Sequence, residues 1–227
     1  IMIKHYLKVA FRNLMKYKMQ SFVSIIGLAV GFTCFALSAL WIRYEMTYDN
    51  FHKGSDRIYM VRAHYANEPG TSNFTPYPLM EYLQDKMPEI EAVTAFTPHH
   101  VKFRLEETEQ EVGMIDADSV FMNFFDIQLL KGTVNFLKSD GQEVAITKEF
   151  AKRLFSKEED ALGKEVEVGR RVCKIGAIVS GWSNHSNIPY NILAPARHSP
   201  RWGSSNEQLF IRVRERTDID AFRTKMS

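Results

Sequence analysis

From Phe22 to Ile42 the chain runs 21 residues without a charged side chain, and Ser24, Thr33 and Ser38 are its only hydroxyl residues. A helix needs about 20 apolar residues to cross about 30 Å of hydrocarbon at 1.5 Å per residue. A secretory apolar region is shorter, about 7–15 residues, and ends in a small-residue cleavage site. This run ends instead in Trp41-Ile42-Arg43-Tyr44. A buried helix of a soluble domain would show a broader polar face. The pattern therefore predicts a membrane-spanning helix over residues 21–44.

The preceding stretch has a different period. Ile3, Tyr6, Leu7, Ala10, Phe11, Leu14 and Met15 recur at helical spacing, with Lys4, Lys8, Arg12 and Lys16 on other faces. Residues 1–20 read as a basic amphipathic helix on the inner membrane surface, or as a simple continuation of the span into water. No acidic residue occurs before Glu45. The positive-inside bias places the N-terminus in the cytoplasm and residues 45–227 outside. Trp41, Tyr44 and Tyr48 stand where an aromatic belt would lie.

Within the run, Gly27 and Gly31 form G-x-x-x-G, a face on which another helix can approach closely. After it, residues 43–51 contain neither Gly nor Pro. Arg43 and Glu45 favour continuation of the helix, Asp49 or Asn50 suits the cap of a following turn, and Phe51 and Tyr59 can pack on a folded base. Arg43, Glu45, Tyr48, Asp49 and Phe51 are thus candidate residues of a stiff stalk, where a mere tether would favour Gly and Ser.

Downstream the pattern alternates between strand-like and helical segments. Arg57–Arg62 reads as a strand, and Thr75-Pro76-Tyr77-Pro78 opens a helix that runs to Lys86 and stops at Pro88. Ala92–Phe96 reads as a strand, followed by a loop at Thr97-Pro98-His99-His100. Val101, Phe103 and Leu105 then alternate into a hairpin with Val112 and Met114. Glu106, Glu107, Glu109 and Glu111 mark its solvated tip. Val144-Ala145-Ile146 leads to Thr147, an N-cap for a helix carrying Phe150, Ala151, Leu154 and Phe155. Strands near Lys164–Val168 and Val172–Val179 join through Gly169, Gln208–Val213 is another strand, and Asp218 caps a last helix. The class is α+β: an amphipathic helix and one span, then a mixed α/β outer domain.

Composition changes this picture little. Hydrophobic residues make up 45% and charged residues 25%, as in ordinary globular proteins. The chain total is +2; with five cations and no acid in the first 42 residues, the remainder is acidic. The basic balance belongs to the membrane-facing segment, and no basic stripe interleaved with aromatics marks a nucleic-acid surface. Cys34 lies in the span and Cys173 in a strand-like run, so they are read as packing residues with no disulfide between them.

Chemistry is mostly lacking. There is no G-x-x-x-x-G-K-[ST] and no G-x-G-x-x-G, hence no recognised phosphate loop, and no cofactor is expected. His99-His100 have no neighbours at metal-ligand spacing. Asn184-His185-Ser186 lacks a G-x-S-x-G elbow and the geometry of a nucleophile and base. The chain is not read as an enzyme.

Several stretches resemble MacB/FtsX-type ABC transporter permeases. The first, FRNLMKYKMQSFVSIIGLAVGFTCFALSALWIRYEMTYDNFHKGSDRIYMV, resembles the family's amphipathic helix, first span and YExxYDxFH-like entry into the extracytoplasmic domain. MPEIEAVTAF, DADSVFMNFFDIQLLKGT and VAITKEFAKRLFSKEEDALGKEVEV resemble further family segments. NHSNIPYNILAP resembles another, with the family's SH pair in reverse order at His185-Ser186.

The resemblance implies a permease subunit in the inner membrane that pairs with a separate ABC ATPase. Its other transmembrane helices, a second permease copy, the lipid membrane and a periplasmic protein are the further implied partners. It implies a porter-like part at about 57–98 and 207–227, with a β-rich insert at about 99–206. ATP-driven closure of the spans would move the outer domain. The family's later spans are missing after Ser227, so an N-terminal part of a longer protein is expected. A membrane-anchored sensor or binding module, or an anchored enzyme, are the competing readings; the second lacks a convergent polar site.

Overall fold

A computed structural model describes residues 2–49, 52, 54–66, 69–155, 157–182 and 186–226. The sequence readings that fall on Asn50, Phe51, Asn184 and His185, and on the side chains of Ile3, Lys4 and Leu7, lie outside the described residues. The chain forms two compact units, residues 1–48 and residues 49–227.

The first unit is two helices, α1 (Met2–Lys16) and α2 (Lys18–Glu45), separated at Tyr17 by a non-helical backbone (φ −108°, ψ 56°). At 1.5 Å per residue the 28 residues of α2 reach about 42 Å, enough to cross a bilayer with a turn to spare. None of them is buried, and rings such as Phe32 and Phe35 are 70% exposed. A continuous apolar surface of this kind is costly in water and matches lipid. Thr33 hides its hydroxyl by donating to the Ala29 carbonyl at 2.8 Å. The helix closes at Met46, and Thr47 and Tyr48 continue as a turn bonded back to Tyr44 and Glu45.

The second unit is a mixed sheet with short helices. In chain order it holds β1 (Ile58–Val61), β2 (Thr75–Pro76), α3 (Pro78–Lys86), β3 (Ile90–Leu105), β4 (Thr108–Ala117) and α4 (Ser119–Phe124). Then come β5 (Leu129–Gly132), β6 (Glu143–Thr147), α5 (Lys148–Leu154), β7 (Glu165–Val168), β8 (Arg171–Val179), β9 (Ile192–Pro195), β10 (Ser205–Val213) and α6 (Ile219–Met226). The strand order is β1-β10-β3-β4-β9-β6-β8-β5, with β2 beside β10 and β7 beside β3 and β8. The β4–β9 and β6–β8 pairs are parallel and the rest antiparallel.

Alternation explains the strands. Along β10, Glu207, Leu209, Ile211 and Val213 are buried and their neighbours are not, the period-2 signature of a half-buried strand. Leu209 and Ile211 pack with Val61, Leu83, Val93 and Phe222 in one core. A second core gathers Phe103, Phe150, Ile175 and Ile192, and a third gathers Phe96, Phe121, Phe136 and Leu193. Caps fix the helix starts: Thr147 accepts from the Phe150 amide at 3.3 Å, Asp118 from the Phe121 amide at 2.9 Å, and Asp218 from the amides of Asp220 and Ala221.

One expectation needs correction. Residues 97–100 are not a loop: β3 is continuous, pairing with β10 as far as Phe96 and with β4 from Thr97 onward. Proline normally reads as a strand break because it cannot donate to the ladder, but here β3 changes partner from β10 to β4 between Phe96 and Thr97, and Pro98 continues the strand opposite Ile115. His99 is therefore a half-buried strand residue opposite Met114. The acidic hairpin tip is solvated as expected, with Glu106, Glu107, Glu109 and Glu111 all exposed, and Glu109 there accepts from Lys102 at 2.9 Å and from Arg104 at 2.9 Å.

Candidate functional site

The second unit begins at Asp49, and its first described residues, Asp49 and His52, are held by distant parts of that unit. Asp49 has a left-handed backbone (φ 57°), a conformation that Asp tolerates better than most residues. Its carboxylate is bonded by residues far away in the sequence. Ser186 donates its hydroxyl to Oδ1 at 2.5 Å, while the Asn187 amide and side-chain Nδ2 donate to Oδ2 at 3.3 and 3.0 Å. Ser186 is 6% exposed, and its Oγ in turn accepts from the Ile188 amide at 3.2 Å. Three donors from a loop 137 residues away thus converge on one carboxylate, and hydrogen bonds to a charged acceptor are the stronger kind.

His52 completes this seat. Its ring lies 4.9 Å from that of Phe125 and 5.0 Å from that of Trp182, in tilted and edge-on geometry. The two aromatics belong to a cluster with Phe121, Phe96, Phe210 and Tyr190. Burial lowers the imidazole's pKa from its ordinary value; Asp49 and Asp126 oppose this and Arg212 adds to it. Arg212 itself lies 4.7 Å over the Phe124 ring and donates to the Phe124 carbonyl. Tyr190 donates to the Ser180 carbonyl at 3.0 Å, and burial drives its phenol far above the ordinary range.

This arrangement holds a segment in place; among the described residues it shows no nucleophile–base pair. Ser186, the one described member of the Asn184-His185-Ser186 run, has its hydroxyl committed to Asp49. Among the described residues no three His, Cys, Asp or Glu side chains lie close enough to share a metal. Cys173 is buried, which raises its thiol pKa and makes it less reactive.

The other predicted site residues are placed as follows. Gly27 and Gly31 stand one turn apart on α2, with no atom within 4 Å of where a Cβ would be. Arg43 and Glu45 close the same helix and Tyr48 lies in the turn after it, its ring edge-on to Tyr44 at 5.6 Å. Phe51 lies outside the described residues. Sequence reasoning missed Ser186, Asn187 and Trp182 as partners of the Asp49–His52 segment, since nothing local marks a contact across more than 120 residues. It also missed α4, although Asp118 ahead of an apolar run was a readable N-cap.

Residues 21–227 match the family model described as the MacB-like periplasmic core domain. No curated protein matches the chain. Among solved structures, a domain of a protein described as a permease from Porphyromonas gingivalis superposes with a TM-score of 0.63 at 20% identity, covering 77% of this chain and 82% of that one. The extracellular domain of the noncanonic ABC-type transporter YknZ from Gram-positive bacteria gives 0.54 at 15%, over 72% and 86%. The periplasmic region of MacB from Actinobacillus actinomycetemcomitans gives 0.54 at 13%, over 76% and 81%. At these identities the structural likeness speaks for the fold.

Proposed function

Because the chain belongs to the MacB-like periplasmic core domain family, we propose that it is the N-terminal part of an ABC transporter permease whose outer domain is moved mechanically by its membrane helices. The chain is a membrane-anchored extracytoplasmic domain of a transporter component. In the proposed reading its N-terminus is cytoplasmic, the membrane is the inner one, and ATP is hydrolysed by a separate ATPase subunit. Residues 57–98 and 207–227 form the porter-like part and residues 99–206 the insert. Gly27 and Gly31 present the face on which another permease helix packs. If so, Gly27→Leu or Gly31→Leu weakens assembly of the full-length permease while membrane insertion is unchanged, because apolarity rises; unaltered assembly would mean the glycines face lipid.

One observation carries the mechanical reading: Asp49, the first residue of the second unit, is tied by three hydrogen bonds to residues 186–187. A pull or twist on this residue is borne by the folded core; a flexible tether would dissipate it. The test is a short Gly/Ser insertion between Tyr48 and Asp49 in the full-length permease with its ATPase. That site lies outside the Asp49 hydrogen bonds and so leaves the seat intact. Complex assembly and ATP hydrolysis should persist while the activity outside the membrane is lost. Survival of that activity would reduce residues 43–51 to a tether.

A further inference from the structure

A second feature, away from Asp49, is a cleft of about 340 Å³ between β4, β9 and the turn joining β7 to β8. Its charges are poorly matched. Arg197 is held by Asp140, through the carboxylate and the backbone carbonyl, both at 2.6 Å. Arg170 and Arg171, by contrast, have no acidic partner within 4 Å among the described residues, although both line the cleft. Arg171 and Arg197 converge over Gly141, where an added Cβ would stand 3.3 Å from Arg171 Nη1 and 3.8 Å from Arg197 Nη2. Gly141 has a φ of 82° and keeps that floor open.

Facing these cations is Asp116, half-buried on β4, with no hydrogen bond or ion pair to its side chain among the described residues. Burial raises its carboxyl pKa; His99, Arg171, His198 and Arg197 pull it the other way from beyond ion-pair distance. Met114, Val144 and Val168 supply apolar wall. The His198 ring is fixed by stacking on Tyr77, with centroids 3.9 Å apart and planes within 7°. The cleft thus offers free guanidinium donors, a lone acceptor and an apolar surface, the combination of a small-ligand site.

We propose that this cleft binds an N-acylated α-amino acid carboxylate with an apolar side chain, the chemistry shared by a peptide's C-terminal residue and a free N-acyl amino acid. The carboxylate takes the planar guanidinium donors of Arg170 and Arg171, which suit it bidentately. The neighbouring amide N–H donates to Asp116, and the side chain packs on Met114 and Val168. Asp116 also disfavours a dianion, since like charges at close range repel. This inference is independent of the mechanical reading of Asp49.

The test is calorimetric titration of the full chain in detergent micelles with N-acetyl-L-leucine, N-acetyl-L-leucinamide, 4-methylpentanoate, propyl phosphate and an acetylated tetrapeptide ending in leucine. N-acetyl-leucine should bind, the amide should not, and 4-methylpentanoate should bind several-fold more weakly for want of an N–H. Arg171→Gln and Arg170→Gln should each weaken binding by about tenfold, the scale of a lost charge-assisted pair. Asp116→Asn should shrink the difference between N-acetyl-leucine and 4-methylpentanoate. Circular dichroism confirms that these variants, altered at the cleft surface, stay folded. Tetrapeptide binding equal to or tighter than that of N-acetyl-leucine identifies peptide ends as the source; binding of N-acetyl-leucine alone identifies the free N-acyl amino acid. The proposal is overturned if no carboxylate binds, if the amide or propyl phosphate binds as tightly as N-acetyl-leucine, or if binding is unchanged in Arg171→Gln.

Discussion

Asp49 and Asp116 are carboxylates of one folded unit, and their surroundings are opposite. Asp49 receives three hydrogen bonds from Ser186 and Asn187, and beside it His52 is packed against two aromatic rings. Asp116 faces open volume, with arginines and histidines near enough to act on its charge and too far to bond it. A satisfied polar group fixes one geometry, whereas an unsatisfied one costs stability and keeps bonding capacity in reserve. The first environment suits transmission of force and the second suits recognition.

The sharpest way to break this comparison is the same substitution at both sites. Asp49→Asn retains one acceptor oxygen and tolerance of the left-handed backbone, but it turns an amide group toward donors from Asn187. Loss of charge-assisted bonds at a half-buried position should cost about 1–3 kcal/mol. Thermal unfolding of the full chain in micelles should register a fall of several degrees for a unit of this size. An unchanged midpoint would show that the Ser186–Asn187 loop does not hold Asp49, and the seat would lose its mechanical meaning.

His52 sharpens the same side with a smaller effect. Its pKa is lowered by burial, so the folded state binds the proton less readily than the unfolded state, whose imidazole titrates at its ordinary value of 6.5. The neutral ring's contribution is fully present above about pH 6.5 and is lost as pH falls through that value toward the folded pKa. Among the described residues, Asp49, Asp126 and Arg212 are the charged groups acting on the ring. Replacing His52 with Phe keeps the aromatic packing and removes the titration. The variant's unfolding midpoint should therefore depend less on pH between 7 and 5 than that of the parent chain. Identical slopes would mean that the imidazole does not titrate across unfolding.

Much of the framework follows from local pattern. The charge-free run from Phe22 to Ile42 predicts α2, Thr147 and Asp218 predict their helices, and the alternation from Gln208 to Val213 predicts β10. Each signal is written within a few residues of the element it specifies. The continuity of β3 through Pro98 was not legible, because it depends on a second partner strand, β4, taking over from β10 just before the proline. Neither was the seat, because Asp49 and Ser186 are joined only by the fold. Local capping rules point Asp49 at the nearest turn and say nothing of the distant loop that supplies three donors. The unmatched Arg170 and Arg171 were equally hidden, since a basic pair in a turn ordinarily means solvated surface.

The smallest expected effect lies on the other side of the comparison and has the opposite sign. At Asp116 burial raises the carboxyl pKa above its ordinary 3.8. The folded state therefore binds that proton more readily than the unfolded state, and stability contributed here falls as pH rises from 3.8 through the folded value. The side chain has no hydrogen-bond or ion-pair partner among the described residues, so replacing the carboxyl with an amide should not destabilise. Asp116→Asn is nearly isosteric, keeps an acceptor oxygen, and should raise stability by about 0.5 kcal/mol, the scale expected where no bonded network is broken. The surrounding arginines limit the gain, because each loses part of its long-range attraction when the charge goes. The measurement is a pair of unfolding midpoints at pH 7 and at pH 4, with the variant's advantage shrinking at the lower pH as the native carboxyl takes its proton. A clear loss of stability at pH 7 would mean that Asp116 is bonded in the folded protein much as Asp49 is. The contrast between a filled seat and an open cleft would then fail, and with it the reason to look for a ligand there.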